Sequence, residues 1–250
     1  MCGRFSLTAS PEEVEALLGV VDVDAFPPRY NIAPTQPVLM ACSTGPREPG
    51  SNLPDREAKL VRWGFLPSWV KDPKKFPLII NARSESVTEK NSFRAAIRHR
   101  RALLPASGFY EWRREGGKSV QAYWVRPRDG GVIAFAGLME TYSEPGGSEI
   151  DTGCILTATA NEEFAPIHDR MPVMIPREEF GRWLDCINNE PRDVADLMVA
   201  PEPGFFEAIP VSNLVNKVAN TGPEIQERVQ PAETGKPAEK PVDDAQMQLF

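Results

Sequence analysis

Eight segments carry the runs of apolar, β-branched and aromatic residues that are typical of β-strands, and turns rich in Gly and Pro separate them. They are PVLMACS, LVRWGF, ALLPASGFYEW, QAYWVRP, GVIAFAGLMETY, CILTATA, PVMIP and FFEAIPVS. Helical segments are too few and too irregularly spaced for repeated β-α-β units. The pattern therefore predicts an α+β fold, whose core is a largely antiparallel, barrel-like β-sheet with short helices at its periphery.

One helix has a clear start signal at Ser10. The Ser10 side chain can cap the helix, Pro11 suits the first turn and Glu13 can complete a capping box. Three shorter helices are predicted over 92–101, 177–184 and 192–199.

The composition of the chain changes near residue 226. Before that point, one domain over 1–225 is the simplest organisation for a chain of 250 residues. After it, the stretch ERVQPAETGKPAEKPVDDAQ has few apolar residues, so it cannot bury enough surface to offset the entropy of ordering the chain. We therefore expect 226–250 to form a disordered tail.

The amino-terminal sequence MCGRFSLTASPEE lacks the basic and apolar regions of a secretory signal, and no apolar run is long enough to cross a bilayer. We expect a cytosolic protein that does not contact membranes. Its four cysteines have no CxxC spacing and it has only two histidines, so we expect no metal and no other cofactor. No segment has the apolar heptad pattern or the additional helix that would indicate a partner surface, so we expect a monomer.

The formal net charge of -7 excludes a protein that is basic over its whole surface. Because phosphate binding requires a basic face, any nucleic-acid-binding surface has to be local. Arginines that could supply it are Arg4, Arg29, Arg62, Arg83 and the Arg98-His99-Arg100-Arg101 run.

Cys2 has a chemical property that no internal cysteine shares. Methionine is normally removed when a small residue follows it, so we expect the mature chain to begin with the α-amine and thiol of Cys2. The pKa values of such groups are about 7.7–8.0 and about 8.5, so both nucleophilic forms are accessible near neutral pH. The amine can form an imine with an aldehyde, and the thiol can then close a five-membered thiazolidine ring. This 1,2-aminothiol is therefore a candidate aldehyde trap.

Seven blocks of sequence together resemble the SOS-response-associated peptidase (SRAP) family over residues 1 to about 225. The blocks are MCGRF, RYNIAPTQ (29–36), WGFLPSW (63–69), INARSES (80–86), GFYEW (108–112), IHDRMPV (167–173) and VSNLVN (211–216). The resemblance implies a protein of the SOS response to DNA damage that senses abasic sites in single-stranded DNA. It also implies that Cys2 bonds covalently to the abasic sugar and thereby shields the lesion.

The resemblance implies a role for four residues: Cys2 as nucleophile, Asn81 holding the reacting centre, and Glu111 and His168 moving protons. Glu111 lies among aromatic residues, and burial there would raise its pKa towards a range useful for proton transfer. By residue type alone, Glu111 could equally be a strand-end carboxylate paired with an arginine. On the same basis, His168 and Asn81 are typical of structural hydrogen-bonding residues in a turn.

Single-stranded DNA exposes both phosphates and base faces, so its binding site should combine charge with stacking. Matching the blocks to the family implies that Arg4 and Arg83 contact phosphates. The same match places Trp69, Trp112 and Pro34 against bases, and assigns Asn31 to the DNA-binding set. Trp63, in contrast, is interpreted as a core residue.

The last five residues resemble the Gln-x-x-Leu-Phe peptide by which replication and repair proteins bind the bacterial sliding clamp. Gln246, Leu249 and Phe250 would carry this contact, because two large apolar residues at the end of a polar tail can fill a preformed pocket. A disordered linker would then tether the domain near DNA.

Two other functions remain open from the sequence. The first is a cysteine peptidase in which Cys2, His168 and Glu111 form a nucleophile, base and acid, with removal of Met1 as one of its reactions. The second is a noncovalent single-stranded DNA-binding protein in which Cys2 has no chemical role. Crosslink reversal and a lyase-like activity are further expectations of the leading hypothesis.

Overall fold

The computed structural model describes residues 2–45, 51, 54–115, 118–144 and 146–231. Five of its strands close into a barrel in the order β10-β4-β3-β6-β9, with β9 pairing back to β10. They are β3 (Pro37–Ser43), β4 (Arg56–Trp63), β6 (Arg101–Ala106), β9 (Ile133–Ser143) and β10 (Glu149–Thr159). All neighbours are antiparallel except β4 and β10, which run parallel. The predicted barrel-like, largely antiparallel α+β fold is confirmed.

Two short strands lengthen the barrel wall along β10. β5 (Asn81–Arg83) pairs in parallel with Ile155–Thr157 of β10, just beyond the residues that pair with β4. β11 (Arg170–Pro172) pairs antiparallel with Thr157–Thr159, beyond the residues that pair with β9. The end of β10 therefore carries a new short strand on each side.

The second sheet has five strands, all antiparallel, in the order β12-β8-β7-β1-β2. They are β1 (Phe5–Leu7), β2 (Arg29–Ile32), β7 (Gly108–Glu115), β8 (Lys118–Pro127) and β12 (Phe206–Val211). Aromatic side chains join it to the barrel: the ring centroids of Phe5 and Trp63 lie 5.1 Å apart, and those of Phe109 and Phe135 lie 5.9 Å apart. The core lies between the two sheets, and Trp63 belongs to it as predicted.

The prediction of one strand over ALLPASGFYEW is wrong, because this stretch forms β6 of the barrel and β7 of the second sheet. The chain crosses between them at Ser107, whose backbone N–H donates to the carbonyl of Ser6 at 2.8 Å. Gly108 follows, and a Cβ there would lie 2.6 Å from the carbonyl oxygen of Val125. Glycine is therefore required where the new strand approaches β8.

The first helix, α1 (Pro11–Leu18), forms as predicted. Ser10 and Glu13 make a capping box, Pro11 lies in the first turn, and Gly19 ends the helix with φ of 66°. The other predicted helices are shorter or tighter than expected. They are α2 (Arg94–His99), a 3-10 turn (Arg177–Glu179) leading into α3 (Phe180–Leu184), and a 3-10 helix (Pro191–Leu197).

The basic run at 98–101 does not form a continuous charged surface. Arg101 is 1% exposed, and its guanidinium donates to the carbonyls of Trp183, Ile97, Asp185 and Asn189. Arg100 pairs with Glu140 at 2.6 Å. The expectation that the whole run could bind phosphates is therefore wrong; only Arg98 and His99 are exposed on it.

The chain remains packed against β12 as far as Val229, whose N–H donates to the carbonyl of Pro210 at 2.9 Å. Residues 232–250, including Gln246, Leu249 and Phe250, lie outside the described residues. Among the helices within the described ranges, none is long and apolar enough to cross a membrane.

Candidate functional site

The four residues expected to act on a substrate lie at the junction of the two sheets. Cys2 lies three residues before the start of β1 in the second sheet, whereas Asn81 begins β5 beside the barrel. The side-chain amide nitrogen of Asn81 donates to the carbonyl of Cys2 at 2.9 Å. Glu111 on β7 and His168, two residues before β11, interact electrostatically across the same junction. The structure therefore brings together the predicted group of four.

The Cys2 thiol is fully buried, and its Sγ donates to the carbonyl of Arg4 at 3.8 Å. Burial raises the pKa of this thiol, and the negative charge of Glu111 raises the pKa further. The thiol therefore holds its proton at neutral pH. Nucleophilic use of the sulfur requires a nearby group that accepts this proton.

Glu111 has the properties of such an acceptor. Its side chain is buried on β7, and burial raises the pKa of the carboxyl, while His168 lowers it in part. A carboxyl group whose pKa lies above its ordinary value is a better proton acceptor once ionised. Glu111 therefore meets the condition, burial, under which the sequence predicted a raised pKa.

His168 is held by the turn that connects β10 to β11. Its backbone N–H donates to the carbonyl of Phe164 at 3.2 Å, and its Nδ1 accepts from the backbone N–H of Arg170 at 3.0 Å. In the neutral ring, this second bond leaves the proton on Nε2. Asp169 Oδ1 lies 2.9 Å from the same Nδ1, on a side chain that is 86% exposed. The bond from the Arg170 N–H favours the tautomer of His168 that carries its proton on Nε2.

Arg170 and Glu85 form a clamp that fixes two sides of the site to each other. The buried guanidinium of Arg170 donates to both carboxylate oxygens of Glu85, at 2.6 and 2.8 Å. This pairing lowers the pKa of Glu85 to about 2. Glu85 lies in the 3-10 turn Ser84–Ser86 that follows β5, and Arg170 begins β11. The clamp therefore holds the Asn81 strand in register with the His168 turn.

Arg4 and Asn31 anchor a loop beside the site. Arg4 Nη1 donates to Asn31 Oδ1 at 2.7 Å and to the carbonyl of Val215 at 2.9 Å. Asn31 Nδ2 lies within 3.3 Å of the carbonyls of Val215, Lys217 and Asn220. Asn31 is only 4% exposed. Its side chain therefore lies inside the protein, where it contacts the loop 215–220.

The remaining residues expected to bind DNA lie nearer the surface. Arg83 is exposed at the end of β5, two residues after Asn81, and Trp69 is 56% exposed with its ring edge-on to Phe76. Pro34 is half-buried in the turn after β2. Trp112 is also half-buried, and its Nε1 donates to Asn216 Oδ1 at 2.7 Å.

The sequence prediction missed the roles of Glu85 and Arg170 and the loop 215–220. Both clamp residues stand inside the blocks INARSES and IHDRMPV, but charge and position in the sequence do not show that they pair across the fold. Among the described residues, no group of three or more His, Cys, Asp or Glu side chains could hold a metal ion.

Comparison with known proteins agrees with the fold. A model of the SOS response associated peptidase (SRAP) family matches residues 1–218, and the chain belongs to this family. The abasic site processing protein YoqW of Bacillus subtilis (strain 168) is 37% identical over 233 residues, covering 91% of this chain and 99% of that protein.

Two more distant relatives carry the same description. The abasic site processing protein YedK of Escherichia coli (strain K12) is 32% identical over 238 residues, covering 90% of this chain and 98% of that protein. The abasic site processing protein HMCES of Xenopus tropicalis is 27% identical, covering 90% and 77%. A solved structure of a protein from Bacteroides thetaiotaomicron superposes with a TM-score of 0.77 at 24% identity, covering 92% and 100%. This last likeness concerns the fold alone.

Proposed function

We propose that this protein recognises abasic sites in single-stranded DNA and captures them covalently through Cys2. The observation that carries the proposal is the junction itself, where Asn81 holds the backbone of Cys2, the buried carboxyl of Glu111 interacts with the Cys2 thiol, and the imidazole of His168 interacts with that carboxyl. The names of the relatives support abasic DNA as the substrate. Removal of Met1 is the first step, because it creates the α-amine that the chemistry needs.

The reaction consists of two bond-forming steps. The Cys2 amine adds to C1′ of the open-chain abasic sugar, and loss of one water gives an imine. The thiol then adds to the imine carbon, and its proton reaches the nitrogen. The product is a thiazolidine, and one water is released overall. Reversal of the crosslink consumes that water and follows the same steps backwards.

Glu111 and His168 divide the proton transfers between them. His168, as an Nε2–H donor, protonates the ring oxygen of the closed sugar while the bond between this oxygen and C1′ breaks. Glu111 accepts the proton of the C1′ hydroxyl, which becomes the aldehyde oxygen, and this proton then replaces the one that His168 gave up. The free carboxylate later takes the proton of the Cys2 thiol and passes it to the imine nitrogen. Burial raises the pKa of the Glu111 carboxyl, which makes the ionised carboxylate a better acceptor of these protons.

Asn81 orients the nucleophile. Its Nδ2 is committed to the Cys2 carbonyl, whereas its Oδ1 is buried and has no hydrogen-bond partner among the described residues. An unpaired buried acceptor is costly unless a substrate or reacting group supplies a donor. We assign this oxygen to the N–H of the mature Cys2 amine or to a sugar hydroxyl.

The strand is held on both sides of the lesion. Arg83 is exposed next to the site and binds a phosphate, while Trp69, Pro34 and Trp112 stack or wedge against bases. Arg4 uses Nη1 to hold Asn31 and the carbonyl of Val215. Its half-buried side chain contacts a phosphate of the strand in this proposal. Asn31 belongs to the binding set through this loop.

The same groups serve two further reactions in this proposal. Removal of Met1 consumes one water and releases methionine, and Glu111 and His168 are placed to move its protons. A lyase-like cleavage of the abasic strand would proceed from the imine. Both reactions depend on Cys2, and neither requires a separate protein substrate.

The test is incubation of the mature protein with single-stranded DNA carrying one abasic site, followed by a denaturing gel. We expect a covalent band that disappears in Cys2→Ser and when Met1 is retained. Cys186→Ser is the matched control, since it removes another thiol and should crosslink normally. DNA binding without a covalent band would favour the noncovalent function, and Cys2-dependent cleavage of a generic peptide would favour the peptidase.

We also propose that the carboxyl-terminal QMQLF segment binds the bacterial sliding clamp. The support is its sequence, in which Leu249 and Phe250 end a polar tail. A labelled peptide of the tail should bind purified clamp, and Leu249→Ala with Phe250→Ala should abolish binding. Absence of binding at high micromolar peptide would refute this partner.

A further inference from the structure

A cleft of about 750 Å³ lies directly beyond the proposed site. Ser84, which follows the exposed Arg83, and Thr88 line one wall, and Arg98 of α2 and Arg192 line it from other elements. Its volume is within the range of about 300–1,000 Å³ that ligand sites occupy. The lining combines hydroxyl donors with guanidinium groups, which is the chemistry that binds phosphates.

The charged groups that line the cleft differ in the ion pairs and hydrogen bonds that they already make. Arg170 neutralises Glu85, whereas Glu190 only accepts the backbone N–H of Asp193 in a capping box and keeps its charge. Arg192 is 86% exposed and lies 3.7 Å from Asp193, beyond hydrogen-bond distance. Arg98 is exposed and has no ion pair among the described residues. The lining therefore presents two guanidinium groups that are not held by hydrogen-bonded ion pairs, beside one charged carboxylate, that of Glu190.

We propose that this cleft binds the phosphodiester backbone of nucleotides on one side of the abasic site. Arg98 and Arg192 pair with phosphates, and the hydroxyls of Ser84 and Thr88 donate to phosphate oxygens. The proposal rests on the proposed function, because the cleft is placed beside the site by Ser84, the chain neighbour of Arg83, and by Glu85 of the clamp. It extends the substrate from the lesion to a defined length of flanking strand.

If Arg98 and Arg192 bind flanking phosphates, the binding affinity should depend on the length of the DNA strand. Abasic oligonucleotides are lengthened one nucleotide at a time on either the 5′ or the 3′ side, and binding is followed by fluorescence anisotropy over a salt series. For the wild-type protein, affinity should rise with length on one side beyond the nucleotide bound at Arg83. Arg98→Ala with Arg192→Ala should lose that gain, and its salt slope should fall by about 1.4, at about 0.7 for each lost phosphate contact.

A matched control removes the same two charges elsewhere. Arg128→Ala with Arg228→Ala changes exposed arginines that lie beside Glu163 and Glu207, and it should keep the length dependence. An unchanged length dependence in the cleft variant, or an equal loss in the control, would overturn the proposal. Crosslinking is scored separately on gels, so a wild-type protein that binds by length without crosslinking would refute the covalent function and leave the cleft standing.

Discussion

Glu111 combines a stability cost with a chemical role. Burial raises the pKa of Glu111 above the ordinary value of 4.5, so the folded chain binds this proton more tightly than the unfolded chain. Its contribution to stability is therefore complete below pH 4.5 and is lost as the pH rises through the higher pKa of the folded state. A neutral side chain of the same shape avoids that loss.

Glu111→Gln should consequently have a higher Tm than the wild-type protein near neutral pH, and this difference should shrink as the pH falls from the raised folded-state pKa of Glu111 towards 4.5, then stay constant at lower pH. Its crosslinking rate should fall by about 100- to 10,000-fold, the range for loss of a general acid or base. Thermal melts and single-turnover crosslinking measure the two effects. A Tm difference that does not change with pH would contradict the assignment of a raised pKa.

Asn31 is expected to act on DNA binding through the loop 215–220 and Arg4. Asn31→Asp keeps an acceptor for Arg4 but replaces the amide donor with a carboxylate facing the three backbone carbonyls. The variant should lose about 1–3 kcal/mol of stability and crosslink abasic DNA more slowly. Its reaction with a small free aldehyde should be unchanged, because Cys2, Glu111 and Asn81 are intact.

Asn220→Ala provides a milder second variant, since it removes only the bond from Asn220 Nδ2 to the carbonyl of Leu214 within the same loop. It should shift the DNA reaction in the same direction and leave the aldehyde reaction alone. Equal slowing with DNA and with the free aldehyde would show that Asn31 supports the chemical centre rather than the loop.

At the level of elements, β10 organises the site through the two short strands that pair with its carboxyl-terminal end. β5 and β11 replace β4 and β9 as its neighbours there, and the Arg170–Glu85 clamp ties them together. Because β10 carries these strands, the site depends on how β10 packs in the barrel beside β9. Met40 fills that interior against Gly137 of β9 and Gly153 of β10.

Gly153→Ala should destabilise the protein by about 1–3 kcal/mol through overpacking. A Cβ at this position would lie 2.5 Å from Met40 Sδ and 3.3 Å from both the Leu138 carbonyl oxygen and Val61 Cγ2. Gly137→Ala should cost less, because its Cβ would clash only with Cε at the flexible end of Met40, at 2.2 Å, and would lie at ordinary contact distances of 3.4 and 3.5 Å from the Ala102 and Cys154 carbonyl oxygens. Urea denaturation of both variants checks this order, and a larger loss for Gly137→Ala would contradict the packing account.

Across the whole molecule, patterns local in sequence predicted local structure. Alternating apolar runs indicated most strands, and the Ser10 capping box gave the first helix correctly. The division of 102–112 between two sheets was missed, because both halves have the same strand-like composition. The burial of Arg101 was also missed, since the carbonyls of Trp183, Asp185 and Asn189 that satisfy it lie more than 80 residues away.

In the candidate site, too, features local in the sequence could be predicted and contacts between distant residues could not. Cys2 and Glu111 became candidates through the matched blocks MCGRF and GFYEW, and their terminal position and aromatic surroundings, which are visible in the sequence, supported the choice. The Arg4–Asn31 and Arg170–Glu85 pairs join residues 27 and 85 positions apart, and only the folded backbone brings them together. Their signal in the sequence is limited to their presence inside the matched blocks.

The central claim is that the mature amino terminus, through both nucleophiles of Cys2, forms the bond to the abasic sugar. Intact-mass and peptide-mapping spectrometry of the crosslinked protein tests it most directly. The account predicts a chain that lacks Met1, a mass equal to protein plus DNA less one water, and attachment at Cys2 that persists without chemical reduction. Attachment at any other residue, or an equal yield from protein that retains Met1, would contradict it.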